Sequence, residues 1–147
     1  MPEVTLRPAH AGDIPAVLAF WARSAENADR PSDEPDAVAA LIAGDPEALI
    51  LATDGPELVG TVVAGWDGWR CHVYRLAVDP DRRRRGIGRL LLDAAERRFR
   101  ALGGIRADAM VLDANEQAHR VWKASGYQAQ ENWSRWVKPL HGRPPSR

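Results

Sequence analysis

The sequence has little cysteine, no excess of either charge and no long apolar run, and each absence removes a class of protein. Its single cysteine, Cys71, allows no disulfide within the sequence and fits a reducing compartment. In an apolar, alternating stretch it reads as a small packing residue rather than a nucleophile. Lysine and arginine total 20 and so do aspartate and glutamate, which leaves no global basic field for a polyanionic partner. No apolar run approaches the roughly 18 residues that a bilayer span needs. No basic segment followed by an apolar core opens the sequence, so neither a membrane partner nor a signal peptide is expected, and the expected location is cytoplasmic. His and Cys nowhere take metal-ligand spacing, so no metal site is expected.

What is present is an ordinary globular composition, 45% hydrophobic and 27% charged over 147 residues, enough to bury a core. Residues 1–140 read as one domain and 141–147 (HGRPPSR) as a disordered tail. VTLRP (4–8) reads as a strand, and Asp13 then caps a helix with Ile14, Val17, Leu18 and Trp21 on its apolar stripe. Residues 25–36 are acidic and interrupted by proline, which predicts a loop, and AVAALIAG (37–44) predicts a short helix. Asp54-Gly55 and Asp67-Gly68 separate ALILAT, ELVGTVVAGW and WRCHVYRLAV, the pattern of an antiparallel meander with Trp66 and Trp69 facing across the second turn.

Further on, Leu91, Ala95, Phe99 and Leu102 share one stripe of a helix that Gly103-Gly104 stops. IRADAMVLDA (105–114) should return as a strand parallel to WRCHVYRLAV. Residues 115–125 form a second helix around Ala118, Val121, Trp122 and Ser125, and YQAQ with NWSRWVK supplies a last strand or pair of strands. The order predicts an α/β (α+β) chain, a mixed sheet with helices on both faces.

The junction VDPDRRRRGIGRLLLD (78–93) carries the chemistry. A strand ends at a proline, a tight turn rich in arginine and glycine follows, and a helix begins. A helix N-terminus offers unpaired N–H groups and the positive end of the macrodipole, and Gly86 and Gly88 keep Cβ atoms off that backbone. Such a turn suits a phosphate. The nucleoside triphosphate loop is absent, and Leu91 stands where a dinucleotide fingerprint would have its third glycine. A solvated run of charge and a nucleic-acid contact are the competing readings of Arg82 to Arg85. Against nucleic acid, no second basic stripe with interleaved aromatics appears.

Arg83-Arg84-Arg85-Gly86-Ile87-Gly88 resembles the (Q/R)-x-x-G-x-(G/A) signature of the GNAT superfamily of N-acetyltransferases. LAVDP before it, LLLDAAE after it, and Asn115 to Tyr127 downstream look like the same family, including its ribosomal-protein-alanine acetyltransferases. The resemblance implies the GNAT fold, with six to seven strands and about four helices, and acetyl-CoA as acyl donor to a primary amine of a small molecule or protein. It implies main-chain pairing of Leu76, Ala77 and Val78 with pantetheine, and pyrophosphate on the amides of residues 84–89. Cofactor contacts are thus expected at Leu76, Ala77, Val78, Arg83, Arg84, Arg85, Gly86, Ile87, Gly88, Arg89 and Asn115. Asn115 is also a natural helix cap, and both roles can hold together.

Amine acetylation needs a base, because an alkylammonium titrates near 10 and its cation is no nucleophile. It needs N–H donors for the carbonyl oxygen that gains charge, which the resemblance assigns to the backbone near Val78. In the pattern N-x-x-A-x-x-x-Y-x-x-x-G-(F/Y), Trp122 stands at the tyrosine that serves relatives as acid, and an indole cannot transfer a proton at neutral pH. Tyr127 matches the terminal aromatic, a packing position. Met110 replaces the glutamate base of the ribosomal-protein enzymes. Asp108 lies on the Met110 face, and His72 and Tyr74 share a strand face with Leu76 and Val78. His72, Asp108 and a water chain are all open as base, since an imidazole exchanges its proton near neutrality. The resemblance implies acceptor contacts from residues 25–36 and 128–136, and Trp66, Trp69, Trp122, Trp133 and Trp136 are candidates for an aromatic wall there. A catalytically silent acyl-CoA-binding module is the alternative, and a homodimer is left open as the assembly.

Overall fold

A computed structural model of the chain describes residues 3–24, 33–111, 113 and 115–140. Strands β1 (Val4–Pro8), β2 (Leu49–Asp54), β3 (Glu57–Trp66), β4 (Cys71–Val78) and β5 (Ala107–Ala109) form one sheet in sequence order. β1 to β4 are antiparallel, and β5 returns parallel to β4 after helix α3 (Ile87–Leu102) crosses over, so the sheet is mixed as the sequence predicts. Helices α1 (Ile14–Ser24) and α2 (Pro35–Gly44) pack on one face around Val17, Phe20, Trp21 and Val63. Helices α3 and α4 (Glu116–Ala124) pack on the other around Val62, Leu91, Phe99 and Trp122.

Several expectations shift. The described residues give five strands rather than six to seven. Residues 128–140 carry no strand, Trp133 is 72% exposed and Trp136 92%, so YQAQ and NWSRWVK do not extend the sheet. β5 keeps only three residues of the predicted ten, from 107 to 109. Pro35 and Asp36 open α2 instead of ending a loop, because proline suits a first helical turn. Asp13 is not the cap of α1: it closes a 3-10 turn that precedes the helix, accepting from His10 N at 2.7 Å and gripping Arg7 through two 2.8 Å bonds. That Arg7 contact holds the Asp13 carboxyl down at about 2. In α3 the inner stripe is Leu91, Leu92, Ala95 and Phe99, and Leu102 is 42% exposed at the helix end. Trp66 and Trp69 do not face each other. Trp66 pairs with Cys71 and packs on the core, whereas Trp69 lies 73% exposed in the turn under the Arg70 guanidinium, 4.4 Å from its ring. The tail 141–147 and residues 25–32 of the predicted acidic loop lie outside the described residues.

The start of α3 is seated directly on the sheet. A Cβ on Gly60 of β3 would stand 2.9 Å from Leu91 Cδ1 and 3.0 Å from Ile87 Cγ2. Gly60 therefore sets how closely the helix N-terminus approaches β3, and both partners are buried core residues with no room to retreat. Gly60→Ala is expected to lower unfolding free energy by about 1–3 kcal/mol, read from urea denaturation; an unchanged midpoint would show that the helix is not so seated.

Candidate active site

The arginine run divides by function. Arg82 turns back to the β2–β3 hairpin, with Glu57 at 2.6 Å, Asp79 at 2.8 Å and Asp54 at 3.8 Å. It is a tether whose charge is already matched. The Asp79 carboxyl is held below its ordinary range chiefly by the Asp81 amide, with Arg82 adding to it. Arg83 reaches Gln117 Oε1 at 2.6 Å and so joins the turn to α4. Arg84, Arg85 and Arg89 are exposed, and no carboxylate among the described residues pairs with them.

The backbone of this turn is shaped for an anion. Arg84 has φ 66° and Gly86, at the N-cap of α3, has φ 79°, two left-handed residues in close succession. The first helical amide to find a carbonyl is Leu90 N, 3.0 Å from Gly86 O. The N–H groups just ahead of it begin the helix without an intrahelical partner and converge at its positive end. The two glycines act differently. Gly86 is needed for its φ, since a Cβ there would meet open space. Gly88 is needed for packing, since its Cβ would lie 3.2 Å from Val121 Cγ1 of α4 and 3.7 Å from Val78 Cγ2.

β4 supplies the second half of the site. Pairing with β5 ends at Val73↔Ala109, so β4 runs on from Tyr74 to Val78 with its outer edge open. Asp79 N donates to Val59 O at 2.9 Å, and the alternation of an antiparallel ladder then turns the Val78 N–H away from β3, toward that open edge. The register of β3 on β4 slips between Thr61↔Ala77 and Val63↔Tyr74, so Arg75 and Leu76 together oppose Val62 in a bulge. The bulge overturns one expectation from strand periodicity. His72 and Tyr74 do not share a face with Leu76 and Val78, because the extra residue reverses the alternation. Leu76 and Val78 pack toward α3 and α4 with Cys71 and Val73, while Ala77 packs toward α1 and α2.

His72 and Tyr74 instead line a cleft of about 250 Å³ on the α1/α2 side, with Leu41, Asp45, Ala48, Gly65, Trp66 and Asp67. His72 Nε2 stands 3.8 Å from Asp67 Oδ2, with 48% of its side chain exposed. Asp67 Oδ1 accepts from Trp69 N at 2.9 Å and Arg70 N at 2.7 Å, bonds that hold its carboxyl below the usual range. The sequence marked Asp67 only as a turn residue; its pairing with His72 across the hairpin could have been read from the five-residue spacing. Asp108 sits beside His72 in register, with its carboxylate 3.0 Å from Arg106 Nε. Burial raises the Tyr74 hydroxyl.

Trp122 and Tyr127 are elsewhere. Trp122 is 8% exposed in the α3/α4 core, edge-on to Tyr127 with centroids 4.9 Å apart. The Tyr127 hydroxyl donates to Glu96 Oε2 at 3.2 Å, and burial and that carboxylate push it well above its ordinary value. Neither faces the cleft, and both read as packing. Asn115 caps α4, accepting from Ala118 N at 2.9 Å. The aromatic wall expected around the acceptor is not assembled: of its five tryptophans only Trp66 lines the cleft. Of the acidic segment, Asp33 binds Arg75 at 2.5 Å and Asp36 lies in the first turn of α2.

A sequence model described as the acetyltransferase (GNAT) family matches residues 15–127. An acetyltransferase of Pectobacterium atrosepticum is 31% identical over 117 residues, 79% of this chain and 82% of that protein. Among solved structures, Ard1 from Thermoplasma volcanium superposes with a TM-score of 0.73 at 24% identity, over 86% of this chain and 84% of that one. A putative acetyltransferase from Salmonella typhimurium, solved with its cofactor acetyl-CoA, gives 0.71 at 18% identity, over 85% and 79% of the two chains.

The divided arginines make a direct test. Arg84→Gln with Arg85→Gln should weaken coenzyme A binding by about tenfold, less at high salt, as two exposed charge-assisted contacts allow. Arg82→Gln should lower the melting temperature and leave that affinity within about twofold, because its partners are Glu57 and Asp79. Calorimetric titration of the variants reads both; a reversed ranking would overturn the division.

Proposed function

The chain belongs to the GNAT acetyltransferase family, and on that premise we propose how its residues divide the work of acetylating an amine. It is an acetyl-CoA-dependent N-acetyltransferase. Acetyl-CoA supplies an acetyl group activated as a thioester. The turn fits that donor: its amides gather behind left-handed Arg84 and Gly86, and exposed Arg84, Arg85 and Arg89 surround them. These groups would hold the pyrophosphate, with Arg83, Ile87 and Gly88 shaping the turn. The open edge of β4 at Leu76, Ala77 and Val78 would hold the pantetheine amides, and the Val78 N–H would donate to the thioester carbonyl oxygen. Asn115 serves as the cap of α4 and through it orders the wall beside the turn.

The acceptor amine enters from the other face, in the cleft lined by His72 and Tyr74. His72 is the base. Asp67 Oδ2 stands 3.8 Å from its Nε2, and Asp108, paired with Arg106, lies beside it in register. The single observation that carries this reading is the bulge. It sets the cofactor-facing side chains of β4 on one side of the sheet and His72 on the other, next to the place where β4 and β5 part. Trp122 provides no acid, and a thiolate whose ordinary pKa lies near 8.5 needs little help to leave. The acceptor is a primary amine of a small molecule or of a protein. The lone buried Cys71 supports a cytoplasmic setting. No helix among the described residues is long and apolar enough to cross a membrane. We read residues 1–140 as one domain with no nucleic-acid partner, with a homodimer as the candidate assembly.

The test follows free thiol release from acetyl-CoA across a panel of small amines and peptides. His72→Gln should retain coenzyme A binding and lose about 10²–10⁴-fold in turnover. Full activity in that variant would remove His72 from the mechanism, and cofactor binding without turnover across the panel would instead identify a silent acyl-CoA-binding module.

A further inference from the structure

Thr61 is the one polar residue fully buried among the described residues, at 0% exposure in the middle of β3. Both capacities of its hydroxyl are used. Trp21 Nε1 of α1 lies 2.9 Å from Thr61 Oγ1, and an indole nitrogen can only donate, so the hydroxyl accepts there. Its single proton therefore goes to the other neighbour, Arg75 O, at 2.8 Å. Arg75 is the bulge residue, with φ 53°, a left-handed conformation that a side chain as large as arginine rarely adopts. Its carbonyl has left the strand ladder, and Thr61 gives it a partner on the α1/α2 side.

The side chain of Arg75 is fixed from the same direction. Its guanidinium lies 5.4 Å from the centre of the Trp21 ring and binds Asp33 Oδ1, just ahead of α2, at 2.5 Å. One residue of β4 is thus clamped through its backbone by β3 and through its side chain by α1 and the entry to α2. Three residues on is Val78, whose N–H faces the open edge.

We propose that Thr61 is a positioning residue for catalysis: oriented by Trp21, it holds the Arg75 carbonyl, and so fixes the bulge that aims the free edge of Leu76 to Val78. It touches neither donor nor acceptor and acts through Arg75. The proposal rests on the reading that this edge binds pantetheine. It adds that the first helix bears on the cofactor edge through a buried hydroxyl as well as through the Arg75 side chain.

The experiment compares wild type, Thr61→Val and Thr61→Ser by calorimetric titration with coenzyme A, well below each variant's melting temperature, and by turnover on any amine the panel identifies. Valine matches threonine in shape and removes only the hydroxyl. Thr61→Val is expected to bind coenzyme A about tenfold more weakly and to lose about 10- to 100-fold in turnover. Thr61→Ser, which keeps the donor, should recover most of both. A merely structural role would lower the melting temperature of Thr61→Val while leaving its affinity for coenzyme A unchanged, and that result overturns the proposal. Where Thr61→Val does not fold, Trp21→Phe removes the orienting donor, and unchanged coenzyme A affinity there is equally fatal. If wild type itself does not bind coenzyme A, the reading of the edge fails instead.

Discussion

The bulge at Arg75 and Leu76 decides what each half of β4 can do. An unbroken strand would put His72, Tyr74, Leu76 and Val78 on one face, and a base would then stand on the same side as the cofactor-holding helices. One extra residue opposite Val62 reverses the order at the point where β5 has already left. The strand then packs Leu76 and Val78 under α3 and α4 and presents His72 and Tyr74 to the cleft on the α1/α2 side. A left-handed arginine costs about 1–2 kcal/mol, and nothing in an isolated strand would hold it there. The buried hydroxyl of Thr61 and the stacked, ion-paired Arg75 side chain offset that cost from two directions.

The helix on the other side is fixed by close approach rather than by hydrogen bonds. Gly60 brings Leu91 and Ile87 against β3, and Gly88 brings Val121 of α4 against the first turn. These contacts fix the position of the first turn of α3 against β3 and α4, so the amides at its start would need little ordering to meet the anion proposed above. Arg82 contributes by being unavailable. Held among Asp54, Glu57 and Asp79, it anchors the turn to the hairpin and leaves the ligand-facing field to Arg84, Arg85 and Arg89. A chain with no net charge can in this way carry a locally positive site.

Local rules made much of this legible. The Asp-Gly turns set the meander, Gly103 ends α3, and the strand–turn–helix junction stands where the sequence puts it. What escaped was whatever depends on residues distant in sequence. Strand alternation assigned His72 to the wrong company, because a bulge is written in the partner strand and in Trp21, not in CHVYRLAV. Trp122 and Tyr127 drew attention through their place in a family pattern, yet burial against α3 makes them core. The cofactor contacts expected from the resemblance leave out Arg82, and the structure supplies its partners in the β2–β3 hairpin. The last strands expected at YQAQ and NWSRWVK do not form, because a strand forms only where a sheet edge accepts it, and β5 is three residues long.

The loss of an acid and the retention of a candidate base follow from one asymmetry. A thiol leaving group titrates near 8.5 and can depart unprotonated at little cost, whereas an alkylammonium near 10.4 is three orders of magnitude from its reactive form at neutral pH. An enzyme of this class can therefore fill the acid position with a packing residue, as Trp122 does at 8% exposure, and gain core area from it. It cannot equally neglect the amine. His72, the base proposed above, lies with Asp67 and Asp108 on the α1/α2 side of the sheet. In the mechanism proposed above, proton chemistry sits on one side of the bulge and phosphate binding on the other, and the backbone of a single strand joins the two.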